Sequence, residues 1–263
     1  MDGSDRIRRP PSPWRGAHLT LLAIVGPTAS GKSALAMEIA RRVGAVIVSV
    51  DSMQVYRGMD VGTAKPSAAE RNEILHEMID VAEPELDFTV QMFQRMARER
   101  IEAHDRPVII VGGSGLHFRS VVDPMTFAPN DPRVRAEIEA LDPTEAVRRL
   151  LEIDPDAGAQ VDLKNPRRVV RSLEVARLTG LGPSERAATV EAEAVRDYRA
   201  AREFVGIGLD PGDLLIDRID RRVDQMMTAG LMDEVETLVP RLGRNASRAV
   251  GYAELLEVIA GRS

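Results

Sequence analysis

The sequence contains no cysteine and few aromatic residues, and each absence excludes a class of site. Without cysteine there is no disulfide, thiolate nucleophile, iron–sulfur cluster or Cys-ligated zinc. Aromatic side chains make up 3% of the 263 residues, so base-stacking platforms must be few. No run of about 18 uncharged apolar residues occurs, which excludes a transmembrane helix. The net charge is −6, so any nucleic-acid surface must be a local patch.

The order of apolar runs predicts an α/β fold. Residues 1–18, with three prolines, four arginines and almost nothing apolar, predict a disordered arm. Strands are predicted at 19–25, 45–50, 107–111 and 203–209, and helices at 32–44, 67–78, 88–104, 212–229, 231–241 and 249–260. Fully apolar strands that alternate with helices predict a parallel sheet covered on both faces. We expect 19–122 and 201–263 to form this core, and 123–200 to be a helical insertion.

A glycine-rich loop follows the first predicted strand. Gly26-Pro27-Thr28-Ala29-Ser30-Gly31-Lys32-Ser33 matches the phosphate-loop pattern G-x-x-x-x-G-K-[ST] and precedes a predicted helix. Its glycines allow successive backbone N–H groups to surround a phosphate, Lys32 adds a positive charge, and the Ser33 hydroxyl can bind Mg²⁺. The loop alone indicates a di- or triphosphate ligand, which leaves a kinase, an NTPase and a switch protein open.

Polar residues follow the second and third predicted strands. Asp51 comes directly after one, and Ser114 follows the glycines that end the other. Because ligands bind at the carboxyl ends of parallel strands, we expect both to face the phosphate loop if these strands are neighbours. Asp51 is a candidate general base or Mg²⁺ partner, or else a turn residue, and Ser114 is a candidate ligand or helix cap.

The predicted helix 212–229 carries an apolar stripe at helical spacing, expected to face the core: Leu215, Ile219, Val223 and Met226. Arg221 has Asp217 and Asp224 within one turn, which predicts surface ion pairs. Arg218 and Arg222, by contrast, lie four residues apart without acidic neighbours one turn away. They are either surface arginines or a clamp for a phosphate.

A second basic cluster lies in the predicted insertion. Asn165 and Pro166 predict the N-cap and first residue of a helix. Arg167 and Arg168 then fall in the first turn, where the helix dipole disfavours cations, and Arg171 lies one turn further on. This edge suits a nucleic-acid backbone, although a solvated helix face remains the alternative.

Five stretches resemble, in order, the bacterial tRNA dimethylallyltransferase family. They are GPTASGKS (26–33), SVDSMQVYRGMDVGTAKP (49–66), VGGSGLHF (111–118), KNPRRVVRSLEVARLTG (164–180) and RAVGY (248–252). The second is the most specific, because an ordinary P-loop kinase has no need of it.

The resemblance implies a P-loop kinase-like core with a tRNA-binding helical insertion. It implies transfer of a dimethylallyl group from dimethylallyl diphosphate to the exocyclic amine (N6) of the adenosine 3′-adjacent to the anticodon. The phosphate loop would hold the prenyl diphosphate, so an ATP-binding label resting on the loop alone would misstate the mechanism. The implied partners are the tRNA anticodon stem-loop and dimethylallyl diphosphate, with Mg²⁺ as cofactor, in a cytoplasmic monomer without a membrane attachment.

The family's motifs also imply residue roles. Asp51 would be the general base, and Lys32 and Arg222 would stabilise the leaving diphosphate, with Mg²⁺ on Ser33. The remaining loop residues would bind the diphosphate, and Arg218, the other member of the arginine pair, is a candidate for the same role from its lack of acidic neighbours. Positions matching tRNA contacts are Asp51, Ser52, Met53, Gln54, Ser114, Arg135, Arg167, Arg168, Val169, Val170, Arg171, Arg248, Ala249, Val250, Gly251, Tyr252 and Ala253.

The sequence departs from the family's pattern in a few places. Ser114 stands where threonine is usual, His117 where tyrosine is usual, and Ala253 where a polar residue is common. The family normally continues past Ser263 through a basic helix that grips the anticodon stem, so we expect the difference to affect tRNA affinity and not the fold. The rival interpretations are an adenylate isopentenyltransferase acting on free AMP and a P-loop small-molecule kinase.

Overall fold

The computed structural model describes residues 21–262, so the predicted disordered arm, 1–18, lies outside the described residues. A parallel sheet has the strand order β3-β2-β4-β1-β5. Its strands are β1 (Leu21–Val25), β2 (Val46–Ser49), β3 (His76–Glu77), β4 (Val108–Gly112) and β5 (Val205–Gly208). The predicted fold class, a parallel sheet flanked by helices, is confirmed.

The described chain divides into two compact units. The first runs to Val121 and resumes at Glu203, and the second is Val122–Arg202, which contains the predicted insertion. The first unit holds the sheet with α1 (Lys32–Val43), α2 (Ala68–Glu73), α3 (Val90–Glu102), α4 (Gly115–Val122), α10 (Leu215–Thr228), α11 (Leu231–Leu238) and α12 (Tyr252–Ile259). The second holds α5 (Pro132–Glu139), α6 (Pro143–Ile153), α7 (Pro166–Thr179), α8 (Pro183–Ala187) and α9 (Val190–Arg196).

The central strands form because their residues suit burial on both faces. Every residue of β2 and β4 is buried, and most are β-branched. A core cluster joins Ile24, Ile47 and Ile109 of neighbouring strands to Ala36 and Met37 of α1. The helix ends at Gly44, which has the left-handed φ of 71° expected of a C-terminal cap. This packing fixes the start of α1, and with it the phosphate loop, against the sheet.

The prediction of one helix over 67–78 was wrong in its second half. Ser67 caps α2 through a reciprocal pair of hydrogen bonds with Glu70, but the helix ends at Ile74, whose backbone is extended. His76 and Glu77 then pair in parallel with Ile47 and Val48 as β3. A strand of two polar residues has no periodicity, so only its partner strand reveals it.

The predicted core stripe on helix 212–229 was also wrong in part. After a short 3₁₀ turn (Gly212–Leu214), α10 begins at Leu215 and contains no buried residue. Val223 is 48% exposed, whereas Leu215, Ile219 and Met226 are half-buried. The stripe therefore rests on the first unit without entering its core.

Among the described residues no helix has both the length and the apolar character needed to cross a bilayer.

The second unit has its own core. Leu150 of α6 and Leu173 of α7 are buried together with Ile138 of α5 and Val169 of α7. Asp131, Asp142 and Asn165 cap α5, α6 and α7 with their side chains, and each helix begins with proline. The predicted N-cap at Asn165 is confirmed.

Candidate active site

The phosphate loop joins the end of β1 to the start of α1. Gly31 caps α1 with a φ of 92°, and Ala29 also has a positive φ, 57°. Lys32 Nζ donates to the carbonyl oxygen of Pro27 at 2.5 Å, across the loop. The Ser30 hydroxyl is buried and has no hydrogen-bond partner in the described part of the chain. This curled backbone with an unpaired polar group at a helix start is suited to an anion.

The loop opens onto a cavity of about 410 Å³ at the carboxyl ends of the strands. Its lining includes Thr28, Lys32, Ser33, Asp51, Ser52, Gln54, Ser114 and Arg222. The strands meet closely here, because a Cβ on Gly112 would lie 2.3 Å from the carbonyl oxygen of Val50. The predicted convergence of the loop, Asp51 and Ser114 on one pocket is confirmed, since β2, β4 and β1 are neighbours.

Asp51 combines a turn role with a free oxygen. Its Oδ1 accepts the backbone N–H groups of Met53 at 2.8 Å and Gln54 at 3.2 Å. Its Oδ2 accepts no hydrogen bond within residues 21–262. The turn fixes the carboxylate at the cavity wall and leaves one oxygen available to accept a proton.

Two cations share the cavity with this carboxylate. Burial lowers the pKa of the Lys32 ammonium, nearby Arg222 lowers it further, and Asp51 opposes both effects. Burial also lowers the pKa of the Arg222 guanidinium, with Asp51 opposing. Arg222 forms no ion pair in the described structure. Two desolvated cations that face one carboxylate leave a surplus of positive charge for an anionic ligand.

A second, smaller cavity of about 330 Å³ also has Lys32 and Ser33 in its lining. Residues 29–34 line it, together with Arg218, Arg221 and Arg222. The predicted ion pairs of Arg221 with Asp217 and Asp224 are not found among the described residues, so this expectation was wrong. The three arginines instead line the cavity beside the loop, and Arg218 and Arg221 form no ion pair within residues 21–262.

The comparisons with known proteins identify the family. The family model for IPP transferases matches residues 54–263. The chain belongs to the IPP transferase family. It is 42% identical to the tRNA dimethylallyltransferase of Bifidobacterium longum subsp. infantis over 254 residues, covering 92% of this chain and 75% of the relative. The resemblance drawn from the sequence motifs is confirmed.

Solved structures of this family have the same fold. The full-length tRNA isopentenylpyrophosphate transferase from Bacillus halodurans matches with a TM-score of 0.62 at 36% identity, covering 93% of this chain and 78% of that one. A eukaryotic dimethylallyltransferase described as acting on tRNA matches with a TM-score of 0.75 at 22% identity, covering 92% and 64%. The latter likeness concerns the fold alone.

The family segment after β2 contributes Lys65, which was not among the predicted site residues, and fixes Gln54, which was. Lys65 lines the cavity, yet its side chain is only 1% exposed and pairs with Asp60 at 2.8 Å and Asp80 at 2.6 Å. The amide of Gln54 donates to the carbonyl oxygens of Thr63 at 3.0 Å and Ala64 at 3.3 Å. The only sequence signal for this arrangement was membership of the DSMQVYRGMDVGTAKP stretch.

Ser114 pairs with His117, two positions at which this sequence departs from the family's usual residues. The hydroxyl of Ser114 and Nδ1 of His117 share a hydrogen bond of 2.7 Å, and the imidazole meets Phe93 edge-on. Burial lowers the pKa of His117 more than nearby Asp51 raises it, so the ring is neutral at neutral pH. The Ser114 hydroxyl accepts no backbone N–H of α4 among the described residues, so the capping bond predicted as one alternative is not found.

The residues around Ser33 fit a Mg²⁺ ion bound mainly through a diphosphate. The Ser33 hydroxyl lines both cavities and makes no hydrogen bond in the described structure. No group of three or more His, Asp or Glu side chains among the described residues could hold a metal alone. Mg²⁺ commonly takes one or two protein oxygens with substrate phosphates, which one hydroxyl beside the loop can supply.

The RAVGY segment is divided between surface and interior. Arg248 and Val250 are exposed, Val250 by 88%, whereas Ala249 and Tyr252 are buried. Helix α12 begins at Tyr252, later than the predicted 249, because Gly251 has a φ of 88° and interrupts the helix. The side chain of Tyr252 is therefore inaccessible to tRNA in this structure, whereas Arg248 and Val250 are exposed and Gly251 and Ala253 are half-buried.

In the second unit the predicted tRNA-contacting positions also differ in exposure. Arg167 and Arg168 are exposed and form no ion pair within the described residues, whereas Val169 belongs to the core. Arg171 and Arg135 both bind Glu174, whose side chain is 0% exposed, at 2.9 and 2.7 Å. Burial opposes ionisation of Glu174, but the hydrogen bonds from Arg171, Arg135 and the backbone hold its pKa below the ordinary value.

Proposed function

We propose that this protein transfers the dimethylallyl group of dimethylallyl diphosphate to N6 of the adenosine 3′-adjacent to the anticodon of tRNA. The observation that carries the proposal is the cavity in which Lys32 and Arg222 face Asp51 beside the phosphate loop. Membership of the IPP transferase family supports the same reaction. The proposal includes catalysis by a monomer in the cytoplasm, where tRNA is found.

The donor end of the reaction needs stabilisation of negative charge. As the bond between the allylic carbon and the diphosphate oxygen breaks, the electron pair leaves with the diphosphate. In this proposal the loop amides, Lys32 and Arg222 stabilise that charge, and Arg218 and Arg221, which line the second cavity beside the loop, add positive charge. Mg²⁺ bound beside Ser33 would supply further charge neutralisation.

The acceptor end needs a proton acceptor. The N6 amine of adenine is a weak nucleophile and loses one proton as the new carbon–nitrogen bond forms. The free Oδ2 of Asp51 accepts that proton, while the two N–H groups on Oδ1 hold the carboxylate in place. The adenosine must leave the anticodon-loop stack to reach the cavity, as is usual for enzymes that modify a base.

A labelling experiment separates this proposal from its rivals. The protein is incubated with radiolabelled dimethylallyl diphosphate and Mg²⁺, and with one of three acceptors: unmodified tRNA, the same tRNA carrying guanosine in place of the target adenosine, or AMP. We expect label only in the unmodified tRNA. Label in AMP alone would instead favour an adenylate isopentenyltransferase, and transfer of label from γ-labelled ATP to a small acceptor would favour a kinase.

A further inference from the structure

One carboxylate on α11 binds a segment that lies far away in the sequence. Oε2 of Glu234 accepts the backbone N–H groups of Asp60 at 2.8 Å and Val61 at 2.7 Å, and Oε1 accepts that of Gly62 at 3.0 Å. The hydroxyl of Tyr252 on α12 donates to the same Oε1. Glu234 is 172–174 residues away in the sequence from the three residues whose backbone N–H groups it accepts. Three successive amides bound by one carboxylate are an unusually complete restraint on a loop.

Packing reinforces these hydrogen bonds. Tyr252 is 0% exposed, and a Cβ on Gly62 would lie 2.4 Å from its ring and 2.8 Å from the side chain of Leu231. The backbone at Gly62 therefore touches α11 and α12 directly. Burial and the adjacent Glu234 both raise the pKa of the Tyr252 hydroxyl, so it remains a hydrogen-bond donor at all ordinary pH values.

The restrained segment leads into the reaction cavity. Thr63, Ala64, Lys65 and Pro66 follow Gly62 directly and line the cavity. The carbonyl oxygens of Thr63 and Ala64 accept the side-chain amide of Gln54, whose own oxygen accepts the hydroxyl of Ser49 at 2.7 Å. The backbone N–H of Gln54 in turn binds Asp51 Oδ1. A continuous set of contacts thus runs from Glu234 to the turn that carries Asp51.

We propose that Glu234 is a positioning residue for the acceptor side of the transfer reaction. It holds residues 60–66, and through Gln54 the turn of Asp51, in the arrangement that receives the adenosine. The inference rests on the proposed function, whose reaction it refines. Within the described part of the chain Glu234 makes no hydrogen bond to the phosphate loop, so the donor diphosphate should bind independently of it.

The test compares Glu234→Gln with Glu236→Gln, a control on an exposed position of the same helix that has no hydrogen bond or ion pair in the described structure. An amide cannot accept all four bonds, since its NH₂ group faces N–H donors. We expect Glu234→Gln to lower the single-turnover rate about tenfold or more and to raise KM for tRNA, because small misplacements of reacting groups slow a reaction strongly. Affinity for dimethylallyl diphosphate should stay within about twofold of the wild type, and Glu236→Gln should match the wild type throughout.

Tyr252→Phe provides a milder second variant, since it removes one of the four bonds and keeps the carboxylate with its three amides. We expect the single-turnover rate to fall and KM for tRNA to rise, as in Glu234→Gln but by less. If Glu234→Gln does not fold, the kinetics of Tyr252→Phe test the positioning role. A lower melting temperature with unchanged kinetics below it would overturn the proposal, as would an equal loss of donor and tRNA binding or wild-type kinetics in Tyr252→Phe. A wild type that labels no tRNA would instead overturn the proposed function, and this role with it.

Discussion

Replacing Asp51 by asparagine separates its role in the turn from its proposed role as proton acceptor. Asparagine keeps an oxygen at Oδ1 for the N–H groups of Met53 and Gln54, so the turn survives. It places an NH₂ group at Oδ2, the oxygen that is free to accept a proton. We expect the transfer rate to fall by about 10²–10⁴, which corresponds to about 2.7–5.4 kcal/mol of transition-state stabilisation. Binding of both substrates should barely change, because the loss falls in the transition state.

The assay is single-turnover transfer from labelled dimethylallyl diphosphate to tRNA, with both substrates saturating and donor affinity measured separately. Asp51→Ala is the informative companion, because it removes Oδ1 as well. The transfer rate of Asp51→Ala should fall by the same factor as that of Asp51→Asn. In addition, its free energy of unfolding should fall by about 0.5–2 kcal/mol, because the N–H groups of the turn lose their acceptor. Transfer by Asp51→Asn at the wild-type rate would refute the reasoning, since Asp51 would then be a turn residue only and the base would have to lie elsewhere in the cavity.

Three further predictions concern the donor, the tRNA surface and the second unit. Lys32→Ala should abolish measurable binding of dimethylallyl diphosphate in calorimetry while leaving the circular dichroism spectrum unchanged; near-native affinity would exclude the loop as the diphosphate site. Joint replacement of Arg167 and Arg168 by alanine should make the affinity for tRNA less dependent on salt, reducing the magnitude of the slope of log affinity against log salt by roughly one for each lost phosphate contact. The control is Arg148→Ala in the same unit, which should leave the slope unchanged because Arg148 is exposed and paired with glutamates. Glu174→Gln should destabilise the second unit by about 3 kcal/mol in urea unfolding, at the low end for a broken buried pair because its arginines are one third exposed. Because the pKa of Glu174 is lowered in the folded protein, the stability that this group contributes should be complete above about pH 4.5 and should be lost as the pH falls further. If the free energies of unfolding of Glu174→Gln and of the wild type keep a constant difference through that pH range, the role of ionised Glu174 is contradicted.

The features that could be predicted from the sequence are local ones. The phosphate loop has a fixed spacing between a strand and a helix, and Asp51 and Ser114 come directly after apolar strands. The parallel topology then brings these strand ends together without any long-range information about individual side chains. Helix ends at Gly44 and Asn165 were predictable for the same reason, since capping depends on residues within one turn.

The features that could not be predicted depend on partners distant in the chain. Glu234 resembles any acidic residue on a helix surface, and only the fold brings it to the amides of residues 60–62. Arg135 matched a tRNA-contact position, and its ion pair with Glu174, 39 residues away, is visible only in the fold. Arg171 is a different case, because Glu174 lies three residues further along the same helix and the charge spacing could have revealed that pair. The tally of charged neighbours one turn away likewise misassigned Arg221, since that rule concerns only the helix itself and not the loop packed beside it.

The electrostatics of the cavity favour function at some cost in stability. Arg222 is half-buried without an ion pair in the described structure, and burial lowers the pKa of both Arg222 and Lys32. Such groups destabilise the protein when no anion is present, because a desolvated charge without a partner is unfavourable. The same desolvation strengthens their attraction for a diphosphate, and more so as negative charge grows on the leaving oxygen. A helix selected for stability alone would carry an acidic residue one turn from Arg222, and the absence of that residue from α10 follows if the compensating charge belongs to the substrate.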